Sequence, residues 1–354
     1  MKCKYICHIG PGEDVLGGIS TVISDIMNSD LREEYKFQLI RTASYKRKLI
    51  TFFKGLIKYI KLCVFNQVSL VHIHMSENGS CYRTMILIIV SKFFGNTVLV
   101  HSHGSEIEKF YFDLGDGFKK KLFNNILQKA DCIVVLTPGW KKFWERIVKS
   151  EKIIIIPNSV TIPKELKKAN NMNDKLKVLF LGKVGKRKGI YDLIDAMNIL
   201  IKDKINVELF IGGDGELDKC NKYIEKLNLK NKVHLCGWVE KEKKENLLRD
   251  ADLLVLPSYF ESFGIVLLEA MAYKLPVICS NGGYMHEVVD DGIDGYIVPV
   301  NSPKNIADKI RYIDSHRDEL IKMGHNGFSK VSSTYSYTDI MRSFGKIYDY
   351  YGKD

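Results

Sequence analysis

No stretch of this sequence stays apolar for the roughly 20 residues that a membrane-spanning helix needs, and the run at residues 85–90 is far shorter. No Cys-x-x-Cys pair occurs, since Cys3, Cys7, Cys63, Cys81, Cys132, Cys220, Cys236 and Cys279 are scattered along the chain. With no signal-peptide pattern ahead of the first apolar run, such scatter is expected of reduced thiols in a cytosol. No Gly-x-Gly-x-x-Gly follows a strand, which excludes the common dinucleotide fingerprint. Internal repeats, low-complexity tracts and nucleic-acid-binding motifs are also missing. Acidic residues are scarce in the first half only. The formal net charge is +11; residues 1–165 hold 24 Lys and Arg against 15 Asp and Glu, and the remainder 29 against 27. A basic half suits nucleic acid or an anionic membrane face. Without a nucleic-acid motif, the membrane is the expected partner.

What is present divides in two. At 354 residues the chain exceeds the roughly 250–300 at which single cores stop growing. The first half reads as a strand at 4–9, a glycine-rich loop reaching Gly17-Gly18, and a helix through Val22, Ile23, Ile26 and Met27. Strands at 69–74, 97–102, 131–137 and 152–156 follow. The second half restarts at 177–181, with strands at 207–211, 233–235, 251–256 and 276–280. Strand and helix alternate, which predicts an α/β protein of two doubly wound parallel sheets that bind ligands at strand C-termini. The polar stretch 163–175 reads as a linker. The expected N-terminal domain is therefore 1–165, completed by a terminal helix at 336–354, and the C-terminal domain is 166–335.

The most informative stretch runs from Tyr259 to Ala270. The buried-strand pattern Ala251-Asp252-Leu253-Leu254-Val255-Leu256 ends at Pro257, and after Gly264 the residues Ile265, Leu268 and Met271 recur at helical spacing. Gly264 lets a ligand approach the backbone. The helix start then offers free N–H groups and a dipole to an anion. Glu261 in the loop and Glu269 in the helix are placed to accept hydrogen bonds from sugar hydroxyls. A phosphate cradle flanked by two such acceptors suits a nucleotide-sugar.

Glu261, seven residues, then Glu269, with Ser262-Phe263-Gly264 between, resembles the Glu-x7-Glu signature of the retaining glycosyltransferases of family 4, which have the GT-B fold. The resemblance implies two Rossmann-like domains facing across a cleft, with the C-terminal helix crossing back to the first. It implies that Glu261 touches the donor sugar, that Glu269 touches the nucleotide ribose, and that Ser262, Phe263, Gly264 and Ile265 form the phosphate mouth. His103, after the strand at 97–102, is similar to the family's active-site histidine. Gly17 and Gly18 match the Gly-Gly loop beside the donor phosphate. Asp214 borders the nucleotide pocket, and Trp238 and Val239 lie where backbone groups pair with the base.

Gly182-Lys183-Val184-Gly185-Lys186-Arg187-Lys188-Gly189 is similar to the family loop Gly-Arg-…-Lys-Gly. Lys188 falls on the family lysine. Lys183 stands where arginine is usual, and lysine lacks arginine's bidentate fork. Both are expected to neutralise a departing diphosphate. Ser80 and Arg83 are candidates for an acceptor phosphate by charge and place only. No metal or other cofactor is expected.

Two alternatives stay open. His72 and His74 share one strand face and His101 and His103 another, so neighbouring strands could gather them into a metal site. Residues 46–65 carry Lys46, Arg47, Lys48, Lys54, Lys58 and Lys61 without an acid, interleaved with Phe52, Phe53, Leu56, Ile57, Tyr59, Ile60 and Val64. That basic amphipathic helix suits an anionic lipid surface, or it packs on its sheet with lysines snorkelling to water. The expected activity is transfer of a sugar from a nucleotide diphosphate, UDP foremost, to a polyprenyl-diphosphate-linked glycan at the cytoplasmic face of the inner membrane, as in bacterial O-antigen or capsule assembly. The competing readings are a non-catalytic two-lobed nucleotide- or lipid-binding protein and a GT-B-type epimerase.

Overall fold

The computed structural model describes residues 4–12, 15, 17–44, 48–166 and 175–352. Cys3, Lys46, Arg47 and most of the expected linker lie outside these. The chain forms two compact units, Met1–Asn158 with Thr338–Asp354, and Ser159–Tyr337.

The first unit runs β1 (Tyr5–Pro11), α1 (Gly18–Met27), α2 (Leu31–Glu34), β2 (Lys36–Ala43), α3 (Lys48–Val64), β3 (Val68–Met75), α4 (Gly79–Phe93), β4 (Thr97–Ser102), α5 (Ile107–Asp113), α6 (Phe118–Leu127), β5 (Cys132–Val135), α7 (Pro138–Trp144) and β6 (Ile153–Ile155). Its six strands lie in the order β2-β1-β3-β4-β5-β6, every pair parallel. The central strands are Val- and Ile-rich and buried at all but one position each in β3 and β4 and throughout β5, as helices on both faces require. α7 opens on Pro138 with the Thr137 hydroxyl accepting the Trp140 N–H at 3.4 Å. Proline at the first position and a threonine cap satisfy the helix start, and the helix buries Trp140, Phe143 and Trp144.

The second unit runs β7 (Leu176–Leu181), α8 (Ile190–Lys202), β8 (Val207–Gly212), α9 (Leu217–Lys226), β9 (Val233–Gly237), α10 (Lys241–Asp250), β10 (Leu253–Leu256), α11 (Ile265–Ala272), β11 (Val277–Ser280), β12 (Gly295–Val298), α12 (Pro303–Ser315) and α13 (Arg317–Thr334). Its order is β12-β11-β10-β7-β8-β9, again all parallel. Successive strands step one way from β7 through β9 and the other way from β10 through β12. The sheet therefore reverses between β7 and β10, the place where open α/β sheets bind ligands.

α14 (Tyr337–Tyr351) returns to the first unit. Its Ile340, Phe344, Ile347 and Tyr348 are buried, and Tyr35 donates to Asp349 at 2.6 Å. The division falls at Asn158/Ser159 rather than at 165/166, because Val160 bridges to Ser336 and accepts the Tyr337 N–H at 3.1 Å. Those backbone bonds tie residues 159–165 to the second unit.

Candidate functional site

At the reversal of the second sheet, the loops after β7 and β10 are joined along their backbones. The Tyr259 N–H donates to the Arg187 carbonyl at 2.8 Å, and Arg187 donates to the Phe260 carbonyl at 3.2 Å. Lys188 and Glu261 form an ion pair between the two loops, their side chains 16% and 13% exposed. Gly189 makes this approach possible. It sits at φ +70°, and a Cβ there would collide with the Pro257 carbonyl. Gly264 caps α11 in the left-handed region at φ +80°, and no side chain caps the helix start. Ser262 N–H is held by Glu261 Oε1 at 3.2 Å. The Phe263 ring is buried edge-on against Tyr335, so only its backbone can serve a ligand.

The loops after β7, β8 and β9 are also tied together. Gly182 N–H donates to Gly212 (2.9 Å), Val184 N–H to Asp214 (2.6 Å) and Gly213 N–H to Gly237 (2.8 Å). Gly213, at φ +147°, has no room for a side chain beside the Gly182 carbonyl. Lys183 and Asp214 are exposed, Trp238 is 51% exposed, and Val239 packs over Gly212. The arrangement is a backbone-lined floor carrying Lys183, Lys188, Glu261 and an uncapped helix start. It can receive a diphosphate and present a carboxylate to whatever the diphosphate carries.

Glu269 lies on α11 and pairs with Lys244 of α10 at 2.7 Å. Sequence reading missed Lys244, which sits in a run of like-looking charged residues. Only the packing of α10 on the sheet distinguishes it. A cavity of about 510 Å3 opens nearby between α8 and α9. It shares Lys186, Gly189 and Tyr259 with these loops, but Lys183, Lys188, Glu261 and Glu269 do not line it.

Asp250-Ala251-Asp252 has the Asp-x-Asp spacing that could bind a divalent ion. The structure gives it another use. It precedes β10, at the end of the sheet opposite Glu261, and buried Asp252 accepts the Lys177 N–H at 2.9 Å.

In the first unit, Gly17 precedes α1 at φ +149° and Gly18 begins it. Ser80 and Arg83 fall in the first turns of α4, where the Ser80 hydroxyl accepts the Ser76 N–H at 3.1 Å and so closes the loop after β3. Arg83 is half-buried, and burial lowers its guanidinium below the ordinary value. His103 follows β4 and is held by its backbone N–H on the Met75 carbonyl at 2.8 Å. The expected gathering of His72, His74, His101 and His103 occurs, and His8 of β1 joins it, through the register that pairs His8 with His72 and His74 with His101. All five are buried. Desolvation lowers His8 and His103 to about 3, and His72, His74 and His101 well below the ordinary value.

Residues 161–330 match the family model described as Glycosyl transferases group 1. A protein of the cps region of Klebsiella pneumoniae, uncharacterized, is 26% identical over 96% of this chain and 99% of its own length. The Escherichia coli UDP-Gal:alpha-D-GlcNAc-diphosphoundecaprenol alpha-1,3-galactosyltransferase is 26% identical over 92% of this chain and 83% of its own. The crystal structure of HepE from Anabaena in complex with UDP superposes with a TM-score of 0.78 at 16% identity, covering 98% of this chain and 99% of that one. The fold is thus that of the GT-B glycosyltransferases, with two six-stranded parallel sheets, and residues 161–330 carry the similarity to the glycosyltransferase group 1 domain.

Proposed function

We propose that the protein is a retaining glycosyltransferase of family 4 that moves a sugar from a nucleotide diphosphate, UDP foremost, to a hydroxyl of a lipid-linked oligosaccharide in surface-polysaccharide assembly. The observation that carries the reading is the Lys188–Glu261 pair set beside the uncapped start of α11 at the sheet reversal. Lys188, Lys183 and the N–H groups at Phe263–Ile265 take the diphosphate. Glu261 orients the sugar once Lys188 turns to phosphate, and Glu269 exchanges Lys244 for the ribose hydroxyls. His103 is assigned to the sugar, and Asp214, Trp238 and Val239 to the nucleotide, on the resemblance alone. In the front-face scheme of the family, the bond from the anomeric carbon to phosphate breaks as the bond to the acceptor oxygen forms on the same face. The acceptor's proton passes to the departing phosphate oxygen, so neither a metal nor a separate base is required. The donor class and the lipid-linked acceptor are supported by the name of the E. coli relative. Ser80 and Arg83 remain acceptor candidates.

A panel of nucleotide-sugars tests this by slow hydrolysis, and free diphosphates by thermal stabilisation. Saturation at a hundred times Kd is worth about 2.7 kcal/mol. UDP should therefore raise the melting temperature of the second unit by several degrees. Stabilisation without hydrolysis would favour a non-catalytic nucleotide binder, and a panel that is neither hydrolysed nor stabilising would sink the reading.

The membrane contact is proposed for α3. Phe52, Gly55, Tyr59 and Cys63 are its buried stripe, which leaves Leu49, Ile50, Phe53, Ile57 and Val64 exposed among exposed Lys48, Lys54, Lys58 and Lys61. Lysines that merely snorkelled around a packed helix would not leave so much apolar surface wet. No described helix is long and apolar enough to cross a membrane. Such a face binds by partial insertion plus charge. Each lysine near an anionic surface contributes about 1 kcal/mol. Replacing Lys54, Lys58 and Lys61 with glutamate should weaken binding to phosphatidylglycerol vesicles by about 100-fold or more in a flotation assay. Undiminished flotation would move the membrane face elsewhere.

A further inference from the structure

Four side chains in the core of the first unit lead to His103 as one hydrogen-bonded chain. His72 Nδ1 is 2.8 Å from the Tyr348 hydroxyl, and that hydroxyl is 3.4 Å from His8 Nε2. His8 Nδ1 is 3.1 Å from His74 Nε2, and His74 Nδ1 is 3.1 Å from His103 Nε2. His8, His72 and His74 stand on β1 and β3, and Tyr348 comes from α14. Each ring is buried and neutral near pH 7. A neutral imidazole carries a single N–H and one bare nitrogen, so every ring in the chain donates on one side and accepts on the other. The chain therefore has only two possible polarities.

The inner end chooses between them. His72 Nε2 is buried with no hydrogen-bond partner. If protons pointed inward, an N–H would be stranded there; if they point outward, only a lone pair is left. Orphaned buried N–H groups are the rarer and costlier case. Protons thus point from His72 to Tyr348, His8, His74 and finally His103 Nε2. We propose that Tyr348, His8 and His74 are positioning residues that lock His103 in the tautomer with its proton on Nδ1, so that the ring presents a fixed N–H donor. The part of this that concerns the sugar rests on the function proposed above: His103 then donates to a donor-sugar oxygen and cannot act as a base toward it.

The histidines of the chain, joined by His101, also form two three-histidine groups, His8-His72-His74 and His74-His101-His103, whose ligand nitrogens lie within 4.8 Å of one another. An ion in either would place its charge among neutral ligands in the core with no carboxylate in the group. It would also have to displace one of the bonds that His74 makes at 3.1 Å, to His8 through Nε2 or to His103 through Nδ1.

Long-range proton–nitrogen NMR on the 15N-labelled full chain distinguishes the two tautomers, with His103 identified by its loss in His103→Gln. The wild type should show protonated Nδ1 and bare Nε2 at His103. Tyr348→Phe removes the hydroxyl relay, so His103 should populate both tautomers and kcat for nucleotide-sugar hydrolysis should fall about tenfold, the scale of one hydrogen bond, with KM little changed. Phe344→Leu, on the same buried face of α14 but without a polar atom, should change neither. A wild-type His103 protonated on Nε2 or mixed, a tautomer unmoved by Tyr348→Phe, or one equivalent of tightly bound metal in the purified chain would overturn the proposal. The wild-type spectrum decides even if Tyr348→Phe does not fold. A chain that hydrolyses no nucleotide-sugar would remove the proposed function and leave the tautomer to be judged by the spectrum.

Discussion

Lys188→Ala should lower turnover by on the order of 100-fold or more, the loss expected on removal of one oxyanion-type contact. Lys188 is a cation that the fold brings to the reversal of the second sheet, paired with Glu261 between the loops after β7 and β10. The same change strands Glu261, whose side chain is 13% exposed, and breaking a largely buried pair is destabilising in itself. The two effects separate in a second variant. Lys188→Ala with Glu261→Gln removes the stranded charge and should recover melting temperature without recovering turnover. Lys188→Arg keeps the charge but not the compact geometry, and should fall between. Wild-type turnover in Lys188→Ala, measured at saturating donor, would take Lys188 out of the site.

The first unit should unfold in mild acid, well before the second. Its five core histidines are held neutral by burial, with folded values near 3 for His8 and His103 and well below the ordinary value for the other three. In the unfolded chain each takes a proton near pH 6.5. Between those values the unfolded state binds more protons than the folded one, so stability falls as pH falls and is complete only above about 6.5. Each ring is worth about 1.4 kcal/mol per pH unit in that window. Five together give about 7 kcal/mol per unit, comparable to the whole 5–15 kcal/mol of a typical domain. Buried Trp140 and Trp144 report on this unit, whereas Trp238 is half exposed in the other. Tryptophan fluorescence should therefore show a transition between about pH 5 and 6. A first unit still folded at pH 4 would mean that these rings are not buried as described.

Much of the fold was legible because parallel strands covered on both faces are continuous apolar runs, as at residues 97–102 and 251–256. β2 was not. Its residues Lys36, Gln38 and Arg41 interrupt the run because the strand lies at the sheet edge and is only half-buried. Glu261 and Glu269 were legible as a pair since eight positions of chain join them. Their cationic partners come from elsewhere in the chain, Lys188 from the loop after β7 and Lys244 from α10, and only Lys188 stood in a recognisable motif. His8 was overlooked for the same reason. Nothing beside it in the chain marks it, and only the register of β1 on β3 sets it next to His72. The domain break moved to Asn158/Ser159 because the backbone bonds of Val160, not the polarity of residues 163–175, decide where the chain changes unit.

The crowding at Gly189 and Gly213 has a practical side. Where main chain presses on main chain, as against the Pro257 and Gly182 carbonyls, substitution has nowhere to go, so a library aimed at changing donor preference gains nothing there. Variation belongs at Asp214 and Trp238, whose side chains reach into solvent from the same rigid platform. The scaffold can be inherited unaltered while its fringe is rewritten.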